Sequence, residues 1–144
     1  MLAIENVNHI GIRIRDRSVS TAFYGTLGFE LITDHGFESG HPIVMRHPGG
    51  VVLNLLGPAT TTDGSNVLMD IDEKHPGITH VALTVSSLAD ARRFLDEQDI
   101  PVTGSFSFGA MSAIFIRDPD RNVIELDAYA DEQHGDGAGY SLHP

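Results

Sequence analysis

The chain contains no cysteine. That excludes disulfides, thiolate metal ligands and a cysteine nucleophile, and it suits a reducing compartment, so a cytoplasmic location is expected. No apolar run approaches the roughly 18 residues that would span a bilayer. The start, Met1-Leu2-Ala3-Ile4-Glu5-Asn6, lacks a basic region followed by an apolar block, so neither a membrane span nor a secretory signal is expected. Positive charge is also scarce: 9 Lys and Arg stand against 20 Asp and Glu, for a net charge of −11 with histidine neutral. Such a surface repels phosphate backbones, so nucleic acid is not an expected partner.

What the chain has in quantity is histidine, with eight in 144 residues. The length fits one compact unit or two small modules sharing a core. The stretch Ile78-Thr79-His80-Val81-Ala82-Leu83-Thr84-Val85 reads as a strand, because it is apolar and β-branched. Side chains alternate along a strand, so Ile78, His80, Ala82 and Thr84 share one face, while Thr79, Val81, Leu83 and Val85 share a core-facing one. Val7-Asn8-His9-Ile10-Gly11-Ile12-Arg13-Ile14 repeats the pattern with its histidine in the same slot, 71 residues earlier (80 − 9). Carried along the chain without a gap, that offset brings Phe23 onto Phe94, Phe37 onto Phe108 and Ile43 onto Ile114. It also brings Arg46 onto Arg117, Pro48 onto Pro119, Val52 onto Val123 and Leu55 onto Leu126. The matches follow the same expected elements from end to end, which is the signature of a duplication.

Each half reads β-α-β-β-β. In the first, a strand over 7–14 leads to a helix opening at Asp16-Arg17-Ser18, with Val19, Ala22, Phe23 and Leu27 at helical spacing and Gly28 as its stop. Strands are expected over 29–33, 42–47 and 51–56, with a polar, mobile loop over 34–41 and a turn at Pro48-Gly49-Gly50. Residues 57–77, rich in Thr, Gly, Asp and Pro, read as a linker. In the second half Ser86-Ser87 caps a helix through Gln98, strands follow over 101–106, 112–117 and 122–127, and Asp118-Pro119-Asp120-Arg121 forms the last turn. Module one thus covers 4–56 and module two 78–129 of a single domain over 1–130, and 131–144 reads as a flexible acidic tail.

These pieces resemble the vicinal oxygen chelate superfamily of glyoxalases, methylmalonyl-CoA epimerases, extradiol dioxygenases and bleomycin- and fosfomycin-resistance proteins. The resemblance rests on Asn8-His9-Ile10-Gly11-Ile12, Ala22-Phe23-Tyr24, Leu27-Gly28-Phe29, His80-Val81-Ala82-Leu83 and Asp118-Pro119-Asp120-Arg121-Asn122-Val123-Ile124-Glu125-Leu126. It implies an α+β fold of tandem βαβββ modules forming a curved, cup-shaped mixed sheet with helices outside. Two departures stand out: Arg121 replaces the usual glycine, and Asn54 replaces the glutamate of glyoxalase I. Tyr24 takes the place of a helix-packing aromatic and reads as core.

The last strand turns Val123, Glu125 and Asp127 one way and Ile124 and Leu126 the other. The resemblance makes the first and last strands of a module neighbours, so His80 and Glu125 converge, and His9 and Asn54 form the matching pair. His9, His80 and Glu125 are thus the candidate ligands of one divalent ion (Fe, Mn, Co, Ni or Zn), since imidazole and carboxylate suit first-row metals. Such an ion stabilises an enolate or orients two adjacent oxygens, and Glu125 is also a candidate catalytic base. Asn54 is a ligand, a hydrogen-bonding neighbour or cavity lining, and Arg13, on the face of His9, meets a substrate anion or a surface carboxylate. Both count as candidate substrate-binding residues. His35, His41, His47, His75, His134 and His143 fall in loops or ends and read as mostly solvated.

The function the resemblance implies is a glyoxalase-type, metal-dependent isomerase or lyase acting on a small-molecule substrate with adjacent oxygens through an enolate-like intermediate. The runner-up is an Fe(II) extradiol dioxygenase, for which His41 and Tyr129 are the available acid–base groups. Gly11 stands where fosfomycin enzymes carry threonine, which counts against that chemistry, and a metal-free binding protein would lack the ligand set. The resemblance further implies a homodimer.

Overall fold

The computed structural model describes residues 1–130. The acidic tail expected over 131–144, with His134 and His143, lies outside them. The described elements run β1 (Ile10–Arg13), α1 (Arg17–Thr26), β2 (Glu30–Asp34), β3 (Ile43–Arg46), β4 (Val52–Leu56), β5 (His80–Thr84), α2 (Leu88–Glu97), β6 (Gly104–Phe108), β7 (Met111–Arg117) and β8 (Val123–Tyr129). The fold is α+β, with two four-stranded sheets of order β1-β4-β3-β2 and β5-β8-β7-β6. Two compact units divide the chain, Met1–Gly64 and Ser65 onward, so the boundary falls inside the linker expected over 57–77.

The duplication extends to the register of the sheets. In the first unit β1 and β4 run parallel with Gly11 opposite Asn54. In the second β5 and β8 run parallel with Ala82 opposite Glu125. Shifting each residue of the first pair by 71 gives the second. The antiparallel pairs agree as well, with Val44 opposite Asn54 and Phe115 opposite Glu125. A one-residue slip would turn every side chain to the other face, so this agreement fixes which side chains of the two units correspond. The edge pairs match only in part. Thr33 opposite Val44 corresponds to Gly104 opposite Phe115, but β2 carries a bulge between Leu31 and Thr33 that β6 lacks.

Both helices start where a short polar side chain accepts a backbone N–H that has no partner within the helix. The Val19 N–H donates to Asp16 Oδ1 at 2.9 Å, and the Asp90 N–H donates to Ser87 Oγ at 3.1 Å. After α1, Gly28 adopts φ +99, a left-handed conformation, and a Cβ there would stand 2.8 Å from His47 Nε2. Only glycine meets both conditions at low cost.

One face of each sheet is packed. In the first unit Ile12, Ile14, Ile43, Met45, Leu53 and Leu55 are buried together with Tyr24 of α1 and Phe29. Tyr24 is 1% exposed and meets Phe23 and Phe29 edge-on, at centroid distances of 5.2 and 5.9 Å, so its reading as core holds. In the second unit Ile114, Ile116, Ile124 and Leu126 are buried on the side of α2, with Leu95. The opposite faces carry the functional candidates, and in the second unit Met111, Ala113, Val123, Glu125 and Asp127 are buried on that face too.

Several local expectations differ from what is observed. Strand β1 begins at Ile10 rather than Val7, and β5 begins at His80 rather than Ile78. Among the described residues the preceding ones have no partner strand, and Val7 and Ile78 are 79% and 87% exposed. Strand β6 begins at Gly104 instead of Pro101, whose nitrogen has no hydrogen to give to a ladder. The loop read as mobile holds a 3-10 turn, Phe37–Ser39. Asp34 Oδ1 accepts the N–H groups of Gly36 and Phe37, and the Phe37 ring is buried. His47 is not a solvated loop residue. Its Nδ1 accepts the Gly49 N–H at 2.9 Å and its ring meets Phe29 edge-on.

The part of the linker that belongs to the second unit is anchored by Asp70. Its carboxylate accepts from Arg121 Nε at 2.7 Å, from the Asn66 N–H at 2.7 Å and pairs with Arg117 Nη2 at 3.0 Å. Arg121, the departure from the family's glycine, keeps the left-handed φ of 65 that glycine would favour. The Arg121 hydrogen bond, opposed by partial burial and aided by the Asn66 N–H and the two cations, holds the Asp70 carboxyl well below the usual carboxylate range. A depressed folded-state value stabilises the fold above the unfolded value, about 3.9, and that contribution is lost as pH falls below it. Asp70→Asn is expected to cost on the order of 1 kcal/mol at neutral pH. In denaturant titrations the gap to wild type should narrow on acidification below about pH 4. A gap that keeps its size would contradict this role.

Candidate metal-ligand pair in the second unit

His80 opens β5 and Glu125 lies in the middle of β8, on the same face of neighbouring parallel strands. Directly opposite Glu125 is Ala82, whose methyl group leaves the longer carboxylate room to lean towards His80. His80 Nε2 and Glu125 Oε2 are 3.0 Å apart. The histidine side chain is 38% exposed and the glutamate 12%, so the pair faces outward from a largely enclosed carboxylate. On the other flank of Glu125 is Phe115 of β7, whose ring stands edge-on to the imidazole at 6.2 Å. His80 Nδ1 is engaged too, at 2.8 Å from Thr79 Oγ1.

Two donor atoms about 2.1 Å from one ion and at right angles lie about 3.0 Å apart. The spacing of His80 Nε2 and Glu125 Oε2 matches that of neighbouring ligands, and a nitrogen–carboxylate pair is the donor chemistry of a first-row divalent ion. The pair has the donor chemistry of two of the three candidate ligands, and its 3.0 Å is also the length of a hydrogen bond. Among the described residues no group of three or more His, Cys, Asp or Glu side chains is gathered in one place.

His9 stands at the matching place of the first unit, one residue before β1, exposed, with Nδ1 2.7 Å from Asn8 Oδ1. Asn54 is half-buried between Gly11 and Val44, in the slot that Glu125 fills in the second unit. Arg13 lies opposite Leu56 and is exposed. Tyr129, the alternative acid–base group, ends β8 opposite Met111, and His41 lies in the loop before β3.

Sequence reasoning assigns no functional role to four residues of these surroundings, and its core-facing reading of Thr79 does not hold, since Thr79 precedes β5, is half-buried and lies against His80 Nδ1. Phe115 could have been found by pairing the alternation of β7 with that of β8, which turns it to the face of Glu125. Thr79 and Asn8 could have been found by asking what holds each imidazole, since both immediately precede the histidine. Asp127 shares the face of Glu125 one step along β8; it is 8% exposed, and its Oδ1 is buried without a hydrogen-bond partner. No sequence signal distinguishes it from a paired carboxylate, because the absence of a partner is a tertiary property.

The chain is 26% identical over 136 residues to the "Glyoxalase domain-containing protein RDO1" of Mycosarcoma maydis, covering 90% of this chain and 72% of that one. A solved glyoxylase/bleomycin resistance protein/dioxygenase domain from Frankia sp. EAN1pec superposes with a TM-score of 0.73 at 20% identity, over 92% of this chain and 97% of that one. A lactoylglutathione lyase from Agrobacterium tumefaciens gives 0.63 at 17% identity, over 87% and 94%. The family model described as the Glyoxalase/Bleomycin resistance protein/Dioxygenase superfamily matches residues 6–126, and with the paired βαβββ register it shows that the chain belongs to that superfamily.

Proposed function

We propose that this protein is a divalent-metal-dependent enzyme of the glyoxalase type, a lyase or isomerase acting on a small molecule with two adjacent oxygens. The observation that carries the reading is the His80–Glu125 pair, two donor atoms 3.0 Å apart on one sheet face, in a chain of this superfamily. The ligand set is His9, His80 and Glu125. A divalent ion held there would supply Lewis acidity towards the substrate oxygens. The residues do the rest. Glu125, released from the ion, would take up a proton as the substrate passes through an enolate-like state. Phe115 covers one side of the pair and limits water around it. Arg13 and Asn54 contact the substrate, and the working form is a homodimer.

The A. tumefaciens lyase supports the reaction class only by its fold, at 17% identity. Titration of metal-stripped protein with Co(II), Zn(II) or Mn(II) tests the reading. One ion per His9–His80–Glu125 set is expected, with uptake sharply weakened in His9→Ala and His80→Ala. No uptake by wild type, or full uptake by folded His80→Ala, would overturn it.

A further inference from the structure

Both histidines of the proposed ligand set have Nδ1 engaged by the side chain of the residue just before them, and those two residues occupy matching places in the duplication. Asn8 Oδ1 is 2.7 Å from His9 Nδ1, and Thr79 Oγ1 is 2.8 Å from His80 Nδ1. The two contacts differ in chemistry. An amide oxygen only accepts, so Asn8 requires a hydrogen on His9 Nδ1. A hydroxyl both donates and accepts, so Thr79 satisfies either form of His80.

We propose that Asn8 and Thr79 are positioning residues that set the two imidazoles differently: Asn8 holds His9 as the Nδ1–H tautomer with the Nε2 lone pair open, and Thr79 lets His80 exchange between tautomers. The inference rests on the metal-site reading above. In the neutral His80 ring, Nε2–H donates to Glu125 Oε2 at 3.0 Å, and Nδ1 accepts the Thr79 hydroxyl hydrogen. For His80 to act as a ligand its Nε2 must lose that hydrogen to water while Nδ1 gains one. The ring stays neutral, and the Thr79 oxygen then accepts from Nδ1–H by a rotation of its own hydroxyl. His9 needs no such exchange. Partners of this kind on the far ring nitrogen orient a ligand histidine, and their loss typically weakens metal affinity roughly 10- to 100-fold.

The histidine ring nitrogens of metal-free, 15N-labelled protein report this directly, at a pH where the rings are neutral. His9 is expected to show a protonated Nδ1 and a bare Nε2, and His80 the reverse. Asn8 is exposed, so Asn8→Ala leaves the fold intact. In that variant the His9 signals should move towards the Nε2–H form, and Asn8→Asp, which keeps an acceptor oxygen, should restore them. Co(II) affinity should fall roughly 10- to 100-fold in Asn8→Ala and in Thr79→Val, while Thr79→Ser should stay near wild type. A His9 ring that is Nε2–H in wild type, or unmoved in Asn8→Ala, would overturn the assignment. So would tautomers that move as expected with Co(II) affinity unchanged in Asn8→Ala. If the tautomers follow expectation and wild type takes up no Co(II), the metal-site reading fails while the assignment of the ring hydrogens stands.

Discussion

Glu125→Ala should lower divalent-metal affinity by about 100-fold or more, a change of roughly 2.7 kcal/mol or above. Glu125 is the single anionic member of the proposed ligand set, so its removal takes away both a coordinate bond and the charge that attracts the cation. The surroundings cannot replace it. Ala82 stands opposite on one side and Phe115 on the other, and neither has a donor atom. The nearest carboxylate along β8 is Asp127, two residues on and therefore about 6.7 Å further along the strand. Glu125→Gln keeps the shape and removes the charge, so it should fall between wild type and Glu125→Ala. Calorimetric titration of stripped proteins measures all three. Equal affinities, with unchanged circular dichroism, would remove Glu125 from the metal site.

Tyr24→Ala should destabilise the protein by about 4 kcal/mol, the scale for truncating a large buried aromatic side chain. Tyr24 is 1% exposed and its ring bridges Phe23 of the same helix to Phe29 at the start of β2. Its loss leaves a cavity where α1 meets the sheet and removes two edge-to-face contacts, each worth about 0.5–1.5 kcal/mol beyond area burial. A domain of ordinary stability has about 5–15 kcal/mol in total, so the variant should unfold at much lower urea concentration than wild type. A midpoint within experimental error of wild type would show that α1 does not depend on this side chain.

The duplication is legible in the amino-acid sequence because it rests on two strong regularities. The alternation of a strand has a fixed period of two, and identities such as Ile43 and Ile114 or Leu55 and Leu126 recur at one offset. The alternation gives Glu125 its face of the last strand, the family resemblance implies that this strand neighbours the one bearing His80, and β5 and β8 do pair with the two side chains on one face. The strand starts are not legible in the same way. Val7 and Ile78 have the right residue type for a strand, but β4 and β8 begin too late to pair with them, and a strand without a partner gains no ladder. The Asp70 anchor is hidden for a different reason. Arg121 and Asp70 are 51 residues apart, and nothing local in Asp118-Pro119-Asp120-Arg121-Asn122 shows which carboxylate the guanidinium will meet. The same applies to the burial of Phe37 and to the contact of His47 with Phe29, which depend on elements that neighbour them only after folding.

The central claim is that His9, His80 and Glu125 hold one divalent ion, and Mn(II) added to 15N-labelled protein tests it most directly. Mn(II) broadens nearby resonances steeply with distance. At substoichiometric Mn(II), the ring signals of His9 and His80 are expected to vanish first, together with the backbone signals of Ala82, Glu125 and Phe115. Those of His35, His47 and His75 should persist. Broadening confined to other histidines, with His80 and Glu125 untouched, would contradict the claim.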